Sequence, residues 1–202
     1  MTRVIGLTGG IGMGKSASAA LLQERGVAVV DTDLLAHQLV EPGQSALARI
    51  QTQFGEAMVD RSGSLRRDAL AELVFHDEAA RARLEGILHP LIRECWQAQV
   101  QTWKTEDRPL AVVVIPLLFE TGAETGFDAT VCVACSATTQ RQRLLARGWS
   151  ASQLEGRIRA QWPAEQKIAR ADYVVWTEAD MEIHARQLDR ILDALTRQSG
   201  PS

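Results

Sequence analysis

A three-layer α/β/α fold around a five-stranded parallel sheet is the architecture this chain predicts, on three observations. Five short runs of β-branched and apolar residues recur along its 202 residues, at 3–8, 27–31, 110–115, 129–134 and 173–176. These runs are nearly continuous in hydrophobicity rather than alternating, as strands covered on both faces must be. Helical patterns separate them, the order in which crossover helices join parallel strands. The length and the 46% apolar content suit one domain with a sizeable core.

The first run, "RVIGLT", leads through glycines into a predicted helix over 14–24, rich in Ala and Leu, which stops at Arg25-Gly26. The second run ends in "DTD" at 31–33. The gap to the third run is too long for one crossover. It holds "SGSLRRDALAELVF", "EAARARLEGIL" and "HPLIRECWQAQVQTW", read as three helices with a boundary at His89-Pro90. Residues 44–104 are therefore expected to form a mostly helical insertion in a core made of 1–43 and 105–202. After the fourth run come two Arg-bearing helices within 138–161, the second opening on a capping box of Ser150 and Gln153. The last helix is predicted over 179–197, with Met181, Ile183, Leu188, Ile191, Leu192 and Leu195 forming its apolar stripe. The closing Ser199-Gly200-Pro201-Ser202 is expected to fray.

Composition excludes several classes. With a formal net charge of -3, the chain lacks the basic field of a general nucleic-acid binder. Its longest apolar run, at 111–119, is too short to span a bilayer and contains Pro116. No charged leader precedes an apolar signal core, so a soluble cytoplasmic protein without membrane partners is expected, as monomer or small homo-oligomer. Three cysteines make no disulfide framework. Cys132 and Cys135 spell C-x-x-C within a predicted strand, where an odd separation would point them to opposite faces and deny them a shared metal.

The chemistry-bearing segment is Gly9-Gly10-Ile11-Gly12-Met13-Gly14-Lys15-Ser16, a G-x-x-x-x-G-K-S pattern between a predicted strand and a predicted helix. Consecutive backbone N–H groups folded inward make an anion nest, and glycine leaves room for phosphate to approach. The helix start adds its positive end. A P-loop NTPase is the expected fold, with Gly10, Ile11, Gly12, Met13, Gly14, Lys15, Ser16 and Ala17 binding ATP. Lys15 would reach the β- and γ-phosphates and the Ser16 hydroxyl would ligate Mg²⁺.

No guanine-reading N/T-K-x-D segment accompanies the loop, since Lys104 follows Trp103 and Lys167 follows Gln166. A motor-type ATPase would carry an acid at the end of a buried strand, and the third run has none until Glu120. A small-molecule kinase fits better. Asp31 and Asp33 would lie on one face of an extended segment at the carboxyl edge of the sheet, where a base for an attacking hydroxyl belongs. The alternative is an Asx turn with an N-cap at Asp33. Arg141, Arg143, Arg147, Arg157 and Arg159 stand on the two helices of a candidate lid at 138–163, placed to neutralise a migrating phosphoryl group.

With these motifs together, the chain resembles the dephospho-coenzyme A kinases over nearly its whole length. The residues that carry the likeness are "GLTGGIGMGKS" at 6–16, "DTD" at 31–33, "HPLIR" at 89–93 and "PLLFE" at 116–120, followed by "Q..RL..R" at 140–147, Gln161 and "K..RADYVV" at 167–175. The resemblance implies transfer of the γ-phosphoryl of ATP, with Mg²⁺, to the ribose 3′-hydroxyl of dephospho-coenzyme A. It implies Asp33 as the base, Asp31 as its neighbour near the metal, and His89 and Arg93 on the substrate side. Pro116, Leu117 and Glu120 would line the acceptor cleft, and Arg143 and Arg147 would be the catalytic lid arginines. Met13 stands where relatives carry something small and is expected to turn outward. Ala17 replaces a frequent hydroxyl, leaving its backbone N–H to the α-phosphate. Trp176-Thr177-Glu178 would lie near the adenine. Another nucleoside-type kinase, or a regulatory module that binds a nucleotide without transfer, remains open on the residues alone.

Overall fold

A computed structural model describes residues 1–197; the four-residue tail expected to fray lies outside them. In chain order the elements are β1 (Arg3–Thr8), α1 (Lys15–Glu24), β2 (Ala28–Asp31), α2 (Thr32–Leu39), α3 (Ser45–Phe54), α4 (Arg67–His76), α5 (Glu78–Thr105) and β3 (Leu110–Val114). They continue with β4 (Ala129–Ala134), α6 (Ala137–Ala146), α7 (Ala151–Arg159), α8 (Ala164–Arg170), β5 (Tyr173–Trp176) and α9 (Met181–Arg197). The chain forms two compact units, residues 31–101 and the rest.

The larger unit is built on the sheet. Its strand order is β2-β3-β1-β4-β5, and β1 pairs in parallel with β3 and β4, as β4 does with β5. The three central strands bury almost every residue, because helices cover both faces. One core joins Ile5, Leu7, Val112, Val114, Val131, Val133 and Val175 to Ala19, Leu22, Leu188 and Leu195 from α1 and α9. Strand ends are stapled by carboxylates. Asp128 Oδ2 accepts from the Val4 N–H at 2.7 Å, and Asp172 Oδ2 accepts from both the N–H and the hydroxyl of Thr130 at 2.8 Å. At the edge, Gln187 of α9 pairs with both the N–H and the C=O of Trp176, closing peptide groups that an edge strand would otherwise expose.

The smaller unit has its own core, where Val40, Ala46, Ile50 and Leu70 pack with Leu39, Phe54, Leu84, Ile87 and Leu91. Here the predicted element count changes. The segments expected as two helices meeting at His89-Pro90 are one 28-residue helix, α5, with Pro90 in its interior. Proline there leaves the Gly86 carbonyl, four residues back, without its helical donor. The helix that the alternative reading of "DTD" implied is α2, and a further helix there went unforeseen: α3, whose Leu47, Ile50 and Phe54 recur at helical spacing before Gly55 ends it.

The cysteine pair is also placed differently. Cys132 is in β4, but Cys135 lies one residue past the strand end, so the alternation argument does not apply to it. Both are buried, and burial pushes the Cys132 thiol up to about 11. Among the described residues, no helix is long and apolar enough to cross a membrane.

Candidate active site

β1 delivers its last residue, Thr8, into the glycine loop, and the loop ends where α1 begins. The glycines serve close packing as well as turning. Gly9 has φ 149, and a Cβ there would meet the Val133 carbonyl oxygen at 2.2 Å, so β4 itself forbids a side chain. Gly14 caps α1 in the left-handed region, φ 103, with the Thr177 side chain 3.2 Å from where its Cβ would be. At the start of α1 the Ser18 N–H donates to the Gly14 carbonyl at 3.0 Å. The N–H groups of Lys15, Ser16 and Ala17 precede it in the first turn, where a helix supplies no acceptors of its own. They suit an anion. Lys15 Nζ donates to the carbonyls of Gly9 at 2.8 Å and Gly10 at 3.1 Å, which folds its charge over the loop.

Met13, expected to turn outward, is instead 4% exposed and packed on Ala134, Cys135, Ala164 and Ile168. It leaves the loop towards the protein rather than towards solvent. The Met13 N–H donates to the Gly10 carbonyl at 3.2 Å, and the Ile11 N–H donates to Gln161 Oε1 at 2.9 Å. Of the loop residues expected to bind phosphate, Ile11 and Met13 therefore spend their N–H groups on the protein here. Gly10, Gly12, Gly14, Lys15, Ser16 and Ala17 complete the loop and the first turn of α1 around them.

Thr177, directly after β5, ties three elements together. Its hydroxyl donates to the Met13 carbonyl at 3.0 Å, its N–H donates to the Ala134 carbonyl at 2.8 Å, and its own oxygens accept both guanidinium ends of Arg143. Arg143 of α6, expected as a lid arginine, is thus fastened to the segment after β5, while Arg147 at the end of α6 is exposed. Arg141 pairs with Glu155 at 3.0 Å and joins α6 to α7, and Arg157 stacks on Trp149 at 4.5 Å. Neighbouring Glu178 accepts from the Ser136 N–H and the Thr139 hydroxyl. These bonds push its carboxyl down to about 2 and cap α6.

Glu120, expected to line an acceptor cleft, meets the protein first. Its Oε1 accepts from Lys167 Nζ at 2.7 Å and from the Trp162 N–H at 2.9 Å, and its Oε2 is buried without a hydrogen-bond partner. Lys167 is fully buried and donates also to the Pro116 carbonyl at 2.7 Å. Pro116 and Leu117 are half-buried, and Leu118 belongs to the core.

Behind the loop, Ser18 of α1 shares a 2.8 Å hydrogen bond with His184 of α9, a histidine for which the sequence suggested no role. Burial holds the His184 pKa below 6.5, with Arg143 adding to the effect. A histidine kept neutral when folded takes its proton first in the unfolded chain. Its contribution is whole above pH 6.5 and is lost as pH falls below that value. Melting temperatures should drop between pH 7 and 5.5, and the His184→Gln variant should show a shallower drop.

In the smaller unit, the two carboxylates of "DTD" are not on one extended strand. Asp31 ends β2 and is the N-cap of α2, its Oδ1 accepting from the Asp33 N–H at 2.8 Å, while Asp33 sits exposed in the first helical turn. The cap is Asp31, not Asp33, because its side chain reaches the donor two residues on. His89 and Arg93 are exposed on α5, four residues apart and so on one helix face. The structure thus brings the loop, Arg143, Pro116 and Glu120 into one unit and the Asp31, Asp33, His89 and Arg93 set into the other. Sequence reasoning assigned nothing to Thr177 as a hub, to Lys167 or to His184. No local signal marks Lys167: lysine is seldom fully buried unless paired, and its partners Glu120 and Pro116 are far away in the sequence.

The dephospho-CoA kinase family model matches residues 3–182. The chain belongs to the dephospho-CoA kinase family. A dephospho-CoA kinase of Anaeromyxobacter dehalogenans is 45% identical over 191 residues, 94% of this chain and 90% of that protein. Among solved structures, a Thermus thermophilus protein, TT1252, superposes with a TM-score of 0.84 at 37% identity, covering 96% of this chain and 98% of its own. The dephospho-CoA kinase from Campylobacter jejuni aligns at a TM-score of 0.73 and 21% identity over 99% of this chain and 100% of its own, a likeness of fold. Family membership accounts for the joint appearance of the loop, "DTD", "HPLIR" and "PLLFE" in one chain.

Proposed function

We propose that this protein transfers the γ-phosphoryl group of ATP to the ribose 3′-hydroxyl of dephospho-coenzyme A, giving coenzyme A and ADP, the last step of coenzyme A synthesis. The observation that carries the reading is the glycine loop at the head of α1, with Lys15 folded over it, in a chain of the dephospho-CoA kinase family. The first-turn N–H groups and Lys15 bind the phosphates and stabilise charge as it moves to the bridging oxygen. Asp33 accepts the proton of the 3′-hydroxyl, or orients it, and Asp31 fixes Asp33 through the helix cap. His89 and Arg93 take the acceptor side with Pro116, Leu117 and Glu120. Arg147 and Arg143 close over the phosphoryl group from the 138–163 lid, with residues 44–104 serving as the substrate-binding insertion.

The donor set fits Mg²⁺. Ser16 offers an exposed hydroxyl in the first turn of α1, and among the described residues no three His, Cys, Asp or Glu side chains converge as an all-protein cage would require. Mg²⁺ is commonly held by one or two protein oxygens together with substrate phosphates. Ser16 would hold the ion, which would supply neutralisation of phosphate charge.

A coupled ADP-release assay across dephospho-coenzyme A, nucleosides and no acceptor tests the reading. Turnover is expected with dephospho-coenzyme A; turnover confined to a nucleoside, or ATP binding without acceptor-dependent turnover, overturns it. In the same assay Asp33→Asn should spare ATP binding and lower kcat by about a hundredfold or more. An unchanged kcat would remove Asp33 from the chemistry.

A further inference from the structure

Ile11 lies between Gly10 and Gly12, so its backbone has little intrinsic reason to keep one orientation. Both of its polar groups are nevertheless taken. Gln140 Nε2 donates to the Ile11 carbonyl at 2.7 Å, and Gln161 Oε1 accepts from the Ile11 N–H at 2.9 Å. Gln140 is buried at 6% exposure in the first half of α6, and Gln161 follows the last residue of α7 by two positions. The two glutamines therefore come from opposite ends of the 138–163 segment and grip a single residue of the phosphate loop. Each end is itself anchored. Glu178 caps α6 at Ser136, and the Trp162 N–H is bonded to Glu120.

We infer that Gln140 and Gln161 are positioning residues, a two-sided clamp that fixes the outer turn of the phosphate loop in its phosphate-binding shape and couples that shape to the segment ending at both glutamines. The inference rests on the proposed ATP-binding role of the loop. Neither side chain needs to touch the nucleotide. The clamp works by removing backbone freedom that binding would otherwise have to freeze. Its polarity is fixed by chemistry: position 140 must donate and position 161 must accept. Methionine has the length for either site but neither capability. Glutamate keeps the acceptor at 161 and lacks the donor at 140.

The test uses the full chain, with ATP titrated against it without acceptor, amide exchange of Ile11 followed by NMR, and melting temperature as a control for folding. Gln161→Met should expose the Ile11 N–H to exchange at least about tenfold faster and weaken ATP about five- to tenfold. Gln161→Glu should keep the amide protected. Gln140→Met and Gln140→Glu should both weaken ATP to a similar degree, the second not rescuing the first. Wild-type exchange or wild-type ATP affinity in Gln161→Met overturns the clamp. So does equal loss in Gln161→Glu and Gln161→Met of Ile11 protection, or a weakening that tracks melting temperature across all four variants. A wild-type chain that binds ATP but does not phosphorylate dephospho-coenzyme A would defeat the proposed reaction and leave the clamp standing. Normal transfer with unchanged ATP affinity in every variant would defeat the clamp alone.

Discussion

Lys15→Ala is expected to lower kcat with dephospho-coenzyme A by about a thousandfold or more while the protein stays folded. The size follows from what the ammonium would do. In a site that excludes water, one preorganised cation aimed at a transferring phosphoryl group contributes as much as an arginine finger or several oxyanion-hole donors. Folding should survive because the side chain is half exposed, and its bonds run to the carbonyls of Gly9 and Gly10, which water can satisfy when the amine is gone. The paired measurement is steady-state turnover and thermal melting on one preparation. A drop of a few degrees with a thousandfold loss of turnover is the expected pattern. Turnover within tenfold of wild type would separate the loop from the chemistry.

Lys167→Ala should have the opposite signature, a large loss of stability. Its ammonium is fully buried between Glu120 and the Pro116 carbonyl. Removing it leaves the Glu120 carboxylate buried, with Oε2 already without a partner, and strips the Pro116 oxygen of its strongest donor. Breaking one side of a buried pair costs about 3–5 kcal/mol, which in a domain of this size is a melting shift of roughly ten degrees. Replacing both, as Lys167→Met with Glu120→Leu, should restore much of that loss, because the orphaned charge is gone. Denaturant unfolding of the single and double variants checks the sign. A double variant as unstable as the single one would place the energy in packing rather than in charge.

The strands were legible because burial on both faces leaves a signature in composition alone. The runs at 3–8, 129–134 and 173–176 coincide with β1, β4 and β5 to the residue. The glycine loop was legible for the same reason: backbone chemistry is written in a short consecutive stretch. What sequence reading could not reach was long-range pairing. Gln140 and Gln161 stand 129 and 150 positions from Ile11, and Thr177 stands 164 from Met13, so no local pattern announces those bonds. Other misreadings were local rules overridden by context. Pro90 ordinarily argues for a break, yet α5 passes through it. The alternation of "DTD" put both carboxylates on one face of an extended segment, yet the Asp31 carboxylate ends the strand by capping α2.

The sheet order also has a consequence for the making of the protein. β1, made before either neighbour, lies between β3 and β4, and neither begins before residue 110. Thr177, which fastens the loop to β4, is made later still, after β5. β1 is thus synthesised about a hundred residues before its neighbours exist. A growing chain carries an unpaired hydrophobic strand until β3 emerges, and a ribosome stalled short of β5 releases a product that has the glycine loop but no finished pocket.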